Sequence, residues 1–366
     1  MPKLSVIVPC YNVEQYVAKC LSTLCKQTLE DIEIICIDDK STDNTLQILQ
    51  EFASKDDRIK LFELSKNSGV AVARNTGLNA VSGEYIGFVD PDDSVDIDFY
   101  EKLYAKVIET SADIVRGNVR VISAKNGKIE NSWFHNTKID LYNFASAFWS
   151  AIYRADMIKK NKIFFPVGIT VAEDSVFLTQ ATLYANKICA ADSVNYYYLF
   201  RRNNSLDSEY LSHAKAVSNI KAFNLNLEYI LNSNLSMDKA KKYLRYHVIE
   251  HCLYELAKDY ERVEDQRELF NFIVKIRNQY GWQGWFDRIV PKRYLKAFKT
   301  NDFDKARYLF GLKHKRIYLF GLLPIIKIEK VDDFMCFKLF DVFPLIRIEN
   351  RKIYLLCFVL LFKLRG

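Results

Sequence analysis

Glycine and proline are scarce in this sequence of 366 residues, which contains only 12 and 7 of them. Together with 49% hydrophobic and 27% charged residues, this scarcity excludes a collagen-like, low-complexity or intrinsically disordered chain. The eight cysteines form no CxxC pair, and several stand in apolar runs where a free thiol packs as a small hydrophobe. We therefore expect a globular protein of a reducing cytoplasm, with no disulfide framework and no structural zinc.

Long apolar stretches and a strong charge of one sign are also absent from the sequence. The longest unbroken apolar run, residues 353–362, has ten residues, whereas a membrane-spanning helix needs about 20. The N-terminal MPKLSVIVPCYN has neither the apolar stretch nor the cleavage site of a signal peptide, so we expect the chain to start directly with its fold. The 52 basic and 45 acidic residues leave a net charge of +7, too small an excess to indicate a nucleic-acid partner.

The first 90 residues alternate short β-rich runs with helical patterns, which is typical of βαβ units and a mostly parallel sheet. Asn12 and Gln15 are spaced as in a capping box, and they predict that the first helix begins near residue 13. The predicted strands are Leu4–Pro9, Ile32–Asp38, Ile59–Leu64 and Glu84–Asp90.

The pattern becomes less regular after the fourth predicted strand. We predict a helix over 96–110 and a strand over Asp113–Val121, followed by irregular aromatic segments of the kind that shape substrate pockets. Residues 211–300 are predicted to be helical, for example over Ala216–Leu231 and Met237–Asp259. At roughly 150 residues per domain, the length allows about two domains with an appendage.

The C-terminal tail repeats itself at an interval of twenty residues. Residues 318–329, YLFGLLPIIKIE, return at 338–349 as KLFDVFPLIRIE, and a degenerate third copy covers 354–364. Apolar and cationic residues alternate in the tail, a combination that suits an anionic membrane surface. The alternative is a small β-rich or helical repeat that packs on the protein or on a sister subunit.

Two acidic motifs follow predicted strands. Asp38–Asp39 ends the second strand, and ligands of open α/β sheets bind beyond the carboxyl ends of the strands. Asp90–Asp93, with three carboxylates in four positions, follows the fourth strand and offers the oxygen ligands that Mg²⁺ or Mn²⁺ prefers. Both motifs also have an ordinary structural interpretation, because Asp and Ser form turns and cap helices, as Asp93 or Ser94 would for the helix over 96–110.

A third acidic motif and two basic ones complete the candidates. Glu173 and Asp174 precede a helical pattern, where the helix dipole holds carboxylates ionised and an Asp can take a proton from an alcohol. Acidic residues in a first helical turn are also common without any function. Arg74 and Arg201–Arg202 can bind phosphate oxygens through their guanidinium groups, or they are solvated surface residues.

Taken in order along the chain, these motifs make the sequence similar to a family 2 glycosyltransferase of the α/β GT-A fold. The resemblance lies in LSVIVPCYN, in CLSTLCKQTLEDIEIICIDDKSTDNT, in NSGVAVARNTGLNAVSGEYIGFVDPDD and, more loosely, in the AED and RRNNSL segments. It implies a Rossmann-like sheet flanked by helices, with a nucleotide-sugar-binding half over residues 1–110 and an acceptor-binding half over 111–210. A helical subdomain over 211–304 and the repeated amphipathic tail over 305–366 would follow.

The resemblance also implies which residues bind the donor. Pro9, Tyr11, Glu14 and Asp39 would line the nucleotide base and ribose, with Asp39 recognising uracil. Lys40 stands where many relatives have glycine, so the turn after Asp39 is expected to be less tight than usual.

The acidic run would be the DxD motif of the family. Asp92 would bind Mn²⁺ or Mg²⁺, Asp90 would support the ribose or the metal shell, and Asp93 is the alternative ligand. Arg74 would lie near the diphosphate or the donor sugar, and Arg202 with Ser205 would close over the pyrophosphate.

By the same resemblance, Asp174 is the catalytic base and Glu173 positions it. The reaction implied is an inverting single displacement, in which an acceptor hydroxyl attacks the anomeric carbon of a nucleotide sugar, expected to be a UDP-sugar. A glycan or lipid-linked glycan of bacterial surface polysaccharide or lipopolysaccharide assembly would be the acceptor. The protein would then be cytoplasmic and peripheral on the inner face of the cell membrane, with homo-oligomerisation through the tail as the other expectation.

Two rival functions are open to separate tests. A dinucleotide-dependent oxidoreductase would need a GxGxxG fingerprint after the first strand, where this sequence has PCYN. A non-catalytic membrane-surface assembly protein that acts through its tail would tolerate the loss of Asp92 and Asp174, whereas the enzyme would not.

Overall fold

The structure, a computed structural model, divides into two compact units that meet in sequence between His251 and Cys252. This boundary lies inside the segment over 211–304 that is predicted to be a helical subdomain. The sequence predicts three boundaries, at 110, 210 and 304, whereas the structure divides into two units only. The residues described are 1–133, 141, 144, 147–200, 212–258, 260–279, 283–312, 316–319, 323–331, 334–339, 343–349 and 352–355.

The first unit is built on one mixed sheet of nine strands. The strands are β1 (Leu4–Cys10), β2 (Ile32–Asp38), β3 (Ile59–Glu63), β4 (Tyr85–Phe88), β5 (Ser94–Val95), β6 (Ile114–Ser123), β7 (Ile129–Trp133), β8 (Ala151–Arg154) and β9 (Ile188–Phe200). Their order is β3-β2-β1-β4-β8-β6-β9-β5, with β7 paired to β6. The first four strands in this order, β3, β2, β1 and β4, are parallel to one another, as the βαβ pattern of the sequence predicts. Strand β8 pairs antiparallel to both β4 and β6.

Helices cover this sheet and extend the first unit. They are α1 (Val17–Cys25), α2 (Thr45–Ala53), α3 (Val70–Ala80), α4 (Phe99–Thr110), α5 (Ala155–Lys160), α6 (Glu173–Tyr184), α7 (His213–Asn232) and α8 (Met237–Leu244), and the boundary between the units falls within α9 (Glu250–Leu256). The predicted long helix from Met237 is thus interrupted, because a π-helical turn at Arg245–Ile249 separates α8 from α9.

The central strands are buried on both faces, which explains their nearly continuous apolar sequence. Helix α3 packs closely on β1 because residue 77 is glycine. A Cβ atom at Gly77 would lie 2.5 Å from Cγ2 of Ile7, closer than side-chain atoms approach in proteins. This close packing fixes the position of α3, which carries Arg74.

Two predicted helix starts are wrong. Helix α1 begins at Val17, and the residue before it, Tyr16, makes no side-chain cap. Asn12 does not cap α1, because its side-chain oxygen accepts a hydrogen bond from the backbone N–H of Thr42, 2.8 Å away. The helix predicted over 96–110 begins only at Phe99, since a short strand precedes it. In both places a contact distant in sequence replaces the expected local one.

Among its described residues, the second unit contains the greater part of α9, four complete helices and a sheet. The helices are α10 (Val263–Gln279), α11 (Gln283–Ile289), α12 (Lys292–Lys299) and α13 (Phe303–Leu312). Stacked and edge-on contacts join the rings of Phe270, Phe286, Phe298 and Phe303 in their core. The strands β10 (Arg316–Leu319), β11 (Leu323–Val331), β12 (Phe334–Leu339), β13 (Phe343–Glu349) and β14 (Lys352–Leu355) form an antiparallel meander in that order.

The twenty-residue repeat corresponds to one β-hairpin. Tyr318 pairs with Pro324 in the first copy, and Lys338 pairs with Pro344 in the second, each next to a shift in register. The β-rich alternative for the tail therefore describes its backbone, while the degenerate third copy lies largely outside the described residues. Among the helices of the described chain, none is both long and apolar enough to cross a membrane.

Candidate functional site

Three adjacent parallel strands end at one edge of the first unit's sheet. Strand β1 lies between β2 and β4, and the three end at Cys10, Asp38 and Phe88. The carboxyl ends of parallel strands form the usual ligand-binding edge of an open α/β sheet. The motifs after β2 and β4 therefore lie at the edge where a ligand is expected.

Arg74 joins two of the acidic motifs. Its Nη2 lies 3.0 Å from Oδ1 of Asp90, and its Nη1 lies 2.7 Å from Oε1 of Glu173. The side chain of Arg74 is only 7% exposed, so these ion pairs are little screened by water. Residues that are 16 and 99 positions away in sequence thus meet at one guanidinium group.

Aromatic rings support this guanidinium group. Its central carbon lies 4.7 Å from the ring centre of Phe148 and 5.1 Å from that of Phe165. Phe88 and Phe177 complete the cluster, with Phe165 and Phe177 stacked at 4.4 Å. Planar arginine side chains pack well on such rings, and the rigid cluster fixes where the two carboxylates are held.

Glu173 and Asp174 begin helix α6 beside Arg74. Burial raises the pKa of Glu173, repulsion from Asp174 raises it further, and Arg74 offsets only part of the rise. Burial likewise raises the pKa of Asp174, against the opposing effect of Arg74 and of His251. Asp174 is partly exposed at the start of α6. A carboxylate with a raised pKa is a stronger base, which suits proton removal from a hydroxyl.

The turn after β4 divides its carboxylates between two environments. Asp93 is buried, and its oxygens accept hydrogen bonds from the Tyr196 hydroxyl and from the N–H of Leu199, at 2.8 and 2.7 Å. Burial raises the pKa of Asp93 well above its usual value, and repulsion from Asp92 and Asp90 adds to the rise. Asp93 thus anchors the turn and does not cap α4, whereas Asp90 and Asp92 are partly exposed.

Tyr196 is a residue of this site that the sequence did not indicate. Its hydroxyl donates to Asp93 and also accepts a hydrogen bond from the N–H of Asp90, 3.0 Å away. It stands within an unremarkable aromatic run on β9, more than 100 positions from the acidic motif, so no local pattern pointed to it.

Asp38 and Asp39, at the end of β2, differ in the hydrogen bonds that their carboxylate oxygens accept. Both oxygens of Asp39 accept hydrogen bonds, from the N–H groups of Ser68 and Gly69 at 2.7 Å, so Asp39 holds the start of α3. Asp38 accepts one from the N–H of Ser41, and its buried Oδ1 has no hydrogen-bond partner in the part of the chain that is described. Lys40 has φ of +61°, the left-handed conformation that glycine adopts readily, so the turn keeps the shape expected with glycine there.

The other donor-binding candidates lie near the same edge. Pro9 is buried within β1, and Tyr11 is 43% exposed directly after it. Glu14 accepts hydrogen bonds from the backbone and side-chain nitrogens of Asn44, at 2.9 and 2.7 Å, and so holds the loop before α2. Arg202 and Ser205 lie outside the described residues.

The carboxylates available to a divalent cation are few. Within the described residues, no group of three or more His, Cys, Asp or Glu side chains is arranged to hold a metal ion. Mg²⁺, however, usually binds through one or two carboxylates together with phosphate oxygens of the substrate. Asp92 and Asp90, both partly exposed on one turn, fit that second type of site.

Known proteins that are similar to this chain are glycosyltransferases. Residues 5–169 match the model of "Glycosyl transferase family 2". The chain is 37% identical over 220 residues to a poly(ribitol-phosphate) beta-glucosyltransferase of Bacillus spizizenii, which covers 58% of this chain and 34% of that protein. It is 29% identical over 305 residues to the poly(ribitol-phosphate) beta-N-acetylglucosaminyltransferase TarS of Staphylococcus aureus, covering 80% of this chain and 50% of TarS. The chain thus spans about a third to a half of these curated relatives.

A solved structure extends the similarity beyond the N-terminal half. The crystal structure of S. aureus TarS 1–349 in complex with UDP has a TM-score of 0.67 and 25% identity, covering 92% of this chain and 96% of that one. The complex of the same fragment with UDP-GlcNAc has a TM-score of 0.67 and 26% identity. The predicted α/β GT-A fold with a helical C-terminal region is confirmed, and residues 5–169 form a glycosyl transferase family 2 domain.

Proposed function

We propose that this protein is an inverting glycosyltransferase that moves a sugar from a UDP-sugar to a hydroxyl group of a surface glycan. The observation that carries the proposal is the cluster in which Arg74 binds Asp90 on one side and Glu173 on the other, with Asp174 partly exposed beside it. This cluster brings the DxD-like turn and the acidic start of α6 into one site. Those are the two parts that donor binding and acceptor activation require.

In the proposed reaction, Asp174 takes the proton of the acceptor hydroxyl. The hydroxyl oxygen forms a bond to the anomeric carbon as the bond from that carbon to the nucleoside diphosphate breaks, which inverts the configuration. Glu173 stays bound to Arg74 and holds the first turn of α6. Oδ1 of Asp174 accepts a hydrogen bond from the backbone N–H of Ser175, 2.8 Å away. This bond holds the side chain of Asp174 in a defined orientation.

Asp92 and Asp90 are the residues that would hold a divalent cation with the diphosphate. Mn²⁺ or Mg²⁺ there would neutralise negative charge on the departing nucleoside diphosphate. Asp93 is left out of this proposal, because both of its oxygens accept hydrogen bonds in the interior.

The relatives indicate the substrates to test. The curated relatives named above transfer glucose or N-acetylglucosamine to poly(ribitol phosphate), and the TarS fragment was crystallised with UDP and UDP-GlcNAc. We therefore propose a UDP-hexose donor and a polyol-phosphate or related glycan acceptor.

Calorimetric binding of UDP, with and without Mn²⁺, tests the donor site, and transfer from UDP-glucose and UDP-GlcNAc to poly(ribitol phosphate) tests the reaction. We expect Asp92→Ala to abolish metal-dependent UDP binding. We expect Asp174→Asn to keep UDP binding and to lower transfer by at least 10³-fold, because it removes the base.

Asp57→Ala is the matched control, since Asp57 is an exposed aspartate on the loop after α2. It should bind UDP and transfer sugar as the unchanged protein does. Full transfer by Asp174→Asn would contradict the proposed base, and the absence of UDP binding by the unchanged protein would contradict the whole assignment.

The tail provides a further part of the proposal. In the register of the meander, Arg316 pairs with Lys327 and Lys327 pairs with Lys338, so three basic residues of neighbouring strands occupy one row of register positions. Like charges directly opposite one another are destabilising unless an anion neutralises them. We propose that this row meets the anionic inner face of the membrane, where an anchored acceptor would be reached. Self-association through the tail is the competing outcome.

A further inference from the structure

The loop over residues 165–172 leads directly into the proposed base and has an unusual backbone. Gly168 and Ala172 both have positive φ, +84° and +67°. Ala172 directly precedes Glu173, the first residue of α6. A left-handed conformation is costly for alanine, because its Cβ is crowded against the backbone. Contacts from elsewhere in the fold must therefore hold this turn in place.

Helix α7 supplies the first of these contacts through Ser218, which is 5% exposed. The Ser218 hydroxyl accepts hydrogen bonds from the N–H groups of Thr170 and Val171, at 2.9 and 3.0 Å, and lies 3.2 Å from the carbonyl oxygen of Val171, to which it donates. A serine hydroxyl has one hydrogen to donate and two lone pairs to accept with, so this arrangement uses all of them. One side chain thus binds three consecutive peptide groups of the loop.

Asn226, two turns further along α7, supplies the second contact and is fully buried. Its Nδ2 donates to Oγ of Ser175 at 3.2 Å, and the same Ser175 hydroxyl donates to the carbonyl oxygen of Ala172 at 2.8 Å. The backbone N–H of Ser175 in turn donates to Oδ1 of Asp174 at 2.8 Å. Ser175 therefore bonds to Asn226 of α7 through its hydroxyl and to the carboxylate of Asp174 through its backbone N–H, and so links the two residues.

The two other sides of the loop are also held. The side-chain amide of Asn75 on α3 pairs with the backbone of Phe165, donating to its carbonyl at 2.8 Å and accepting from its N–H at 2.9 Å. Ile169 packs with Val176 and Ala222 in a small buried cluster between the loop, α6 and α7. Ala172 packs against this cluster, while Ser218 bonds to the two residues before it and Asn226 acts on it through Ser175.

We propose that Ser218 and Asn226 are positioning residues for Asp174, holding the turn before α6 so that the carboxylate faces the acceptor hydroxyl. This inference rests on the proposed function, because it assumes that Asp174 is the base. Neither residue is assigned a contact with donor or acceptor. Displacing a reacting group by about 1 Å can lower a rate by about 10²-fold, so loosening the turn should affect turnover more than binding.

The test compares Ser218→Ala with Ser218→Thr in the full chain. We expect Ser218→Ala to lower kcat for transfer by 10- to 100-fold, with the KM for the donor and the UDP binding stoichiometry unchanged. Ser218→Thr keeps the hydroxyl and should recover kcat to within about threefold of the unchanged protein. In hydrogen exchange, the amides of Thr170 and Val171 should exchange faster in the alanine variant, which reports on the loop without any activity measurement.

Ser233→Ala is the matched control on the same helix. The Ser233 hydroxyl donates to the carbonyl oxygen of Ile230 at the end of α7, far along the helix from the loop contacts, and its removal should leave kcat unchanged. Full turnover in Ser218→Ala alongside lost turnover in Asp174→Asn would overturn the positioning role and leave the proposed function standing. Retained transfer in Asp174→Asn would overturn both. Reduced UDP stoichiometry in Ser218→Ala without recovery in Ser218→Thr would assign Ser218 to folding and overturn the positioning role as well.

Discussion

Arg74 contacts residues from four separate parts of the chain. Asp90, Glu173, Phe148 and Phe165 all contact the same guanidinium group, two as ion pairs and two as rings. Residue type alone made Arg74 a candidate for binding phosphate, but its donors at Nη1 and Nη2 are directed at protein carboxylates. At the scale of single residues, Arg74 therefore links the two acidic motifs.

Replacing Arg74 by Met should destabilise the protein by about 3–5 kcal/mol, because it leaves the buried Glu173 and the partly exposed Asp90 without their cation. Chemical denaturation at neutral pH measures this change. The double variant Arg74→Met with Glu173→Gln should recover part of the loss, since one of the uncompensated charges is then removed. A double variant no more stable than Arg74→Met would contradict the ion-pair explanation.

Strand β2 illustrates how one element carries both packing and charge. Glu33 lies in this central strand, only 2% exposed, opposite Ser5 of β1 in the sheet register. Its carboxylate accepts hydrogen bonds from Ser5, from Lys60 at 2.5 Å and from the N–H and hydroxyl of Ser82 at 2.7 and 2.8 Å. Burial alone would raise the pKa of Glu33, but these donors outweigh it and lower the pKa to about 2.

The depressed pKa of Glu33 predicts an acid-sensitive stability. The contribution of the ionised Glu33 to the free energy of unfolding is fully present above the ordinary Glu pKa near 4.5, and it is lost as the pH falls from there to about 2. In that range the unfolded chain binds a proton at this carboxylate more readily than the folded protein does. The free energy of unfolding should fall by about 3 kcal/mol through this group across that range. Denaturant titrations at several pH values should show a flatter acid limb for Glu33→Gln. Glu109→Gln, at an exposed position on α4, should keep the acid limb of the unchanged protein.

On the scale of the whole molecule, the two units have different kinds of sheet. The nine-stranded sheet of the first unit is mixed and carries the candidate site, and the five-stranded meander of the second is antiparallel and built from repeated hairpins. Because side chains alternate between the faces of a strand, the register that aligns cations also aligns the apolar positions of neighbouring strands. The alternation noticed in the tail sequence is thus the period of a β-strand.

The cationic row of the meander predicts charge-dependent membrane binding. Changing Arg316, Lys327 and Lys338 together to Gln should weaken partition into vesicles containing anionic lipid by about 10²-fold, at about 1 kcal/mol per cation. The matched control changes Lys239, Lys241 and Lys242 of α8 to Gln, which alters the net charge equally and should weaken binding less. Equal partition of the two variants would contradict the proposed row, and a change in oligomeric state instead would favour self-association.

Sequence patterns alone were enough for the parallel strands, the family and the acidic motifs, because those signals are local. A buried parallel strand needs a run of apolar residues, as over Ile32–Asp38, where the predicted and observed bounds coincide. Helix starts were predicted less well, since the side chain of Asn12 bonds to a loop thirty positions away and not to its own helix.

The tertiary structure alone decided what each candidate does within the site. Asp93 could not be told from Asp92 by spacing, and only the fold brings Tyr196 and Leu199 to Asp93 and leaves Asp92 partly exposed. Likewise, no sequence pattern near Asp174 indicates that Ser218 binds the loop over residues 165–172. The sequence by itself determined which groups are present and the order of strands and helices, because local physical chemistry sets both. Which groups meet, and which carboxylate stays exposed, depended on packing between segments distant in the chain.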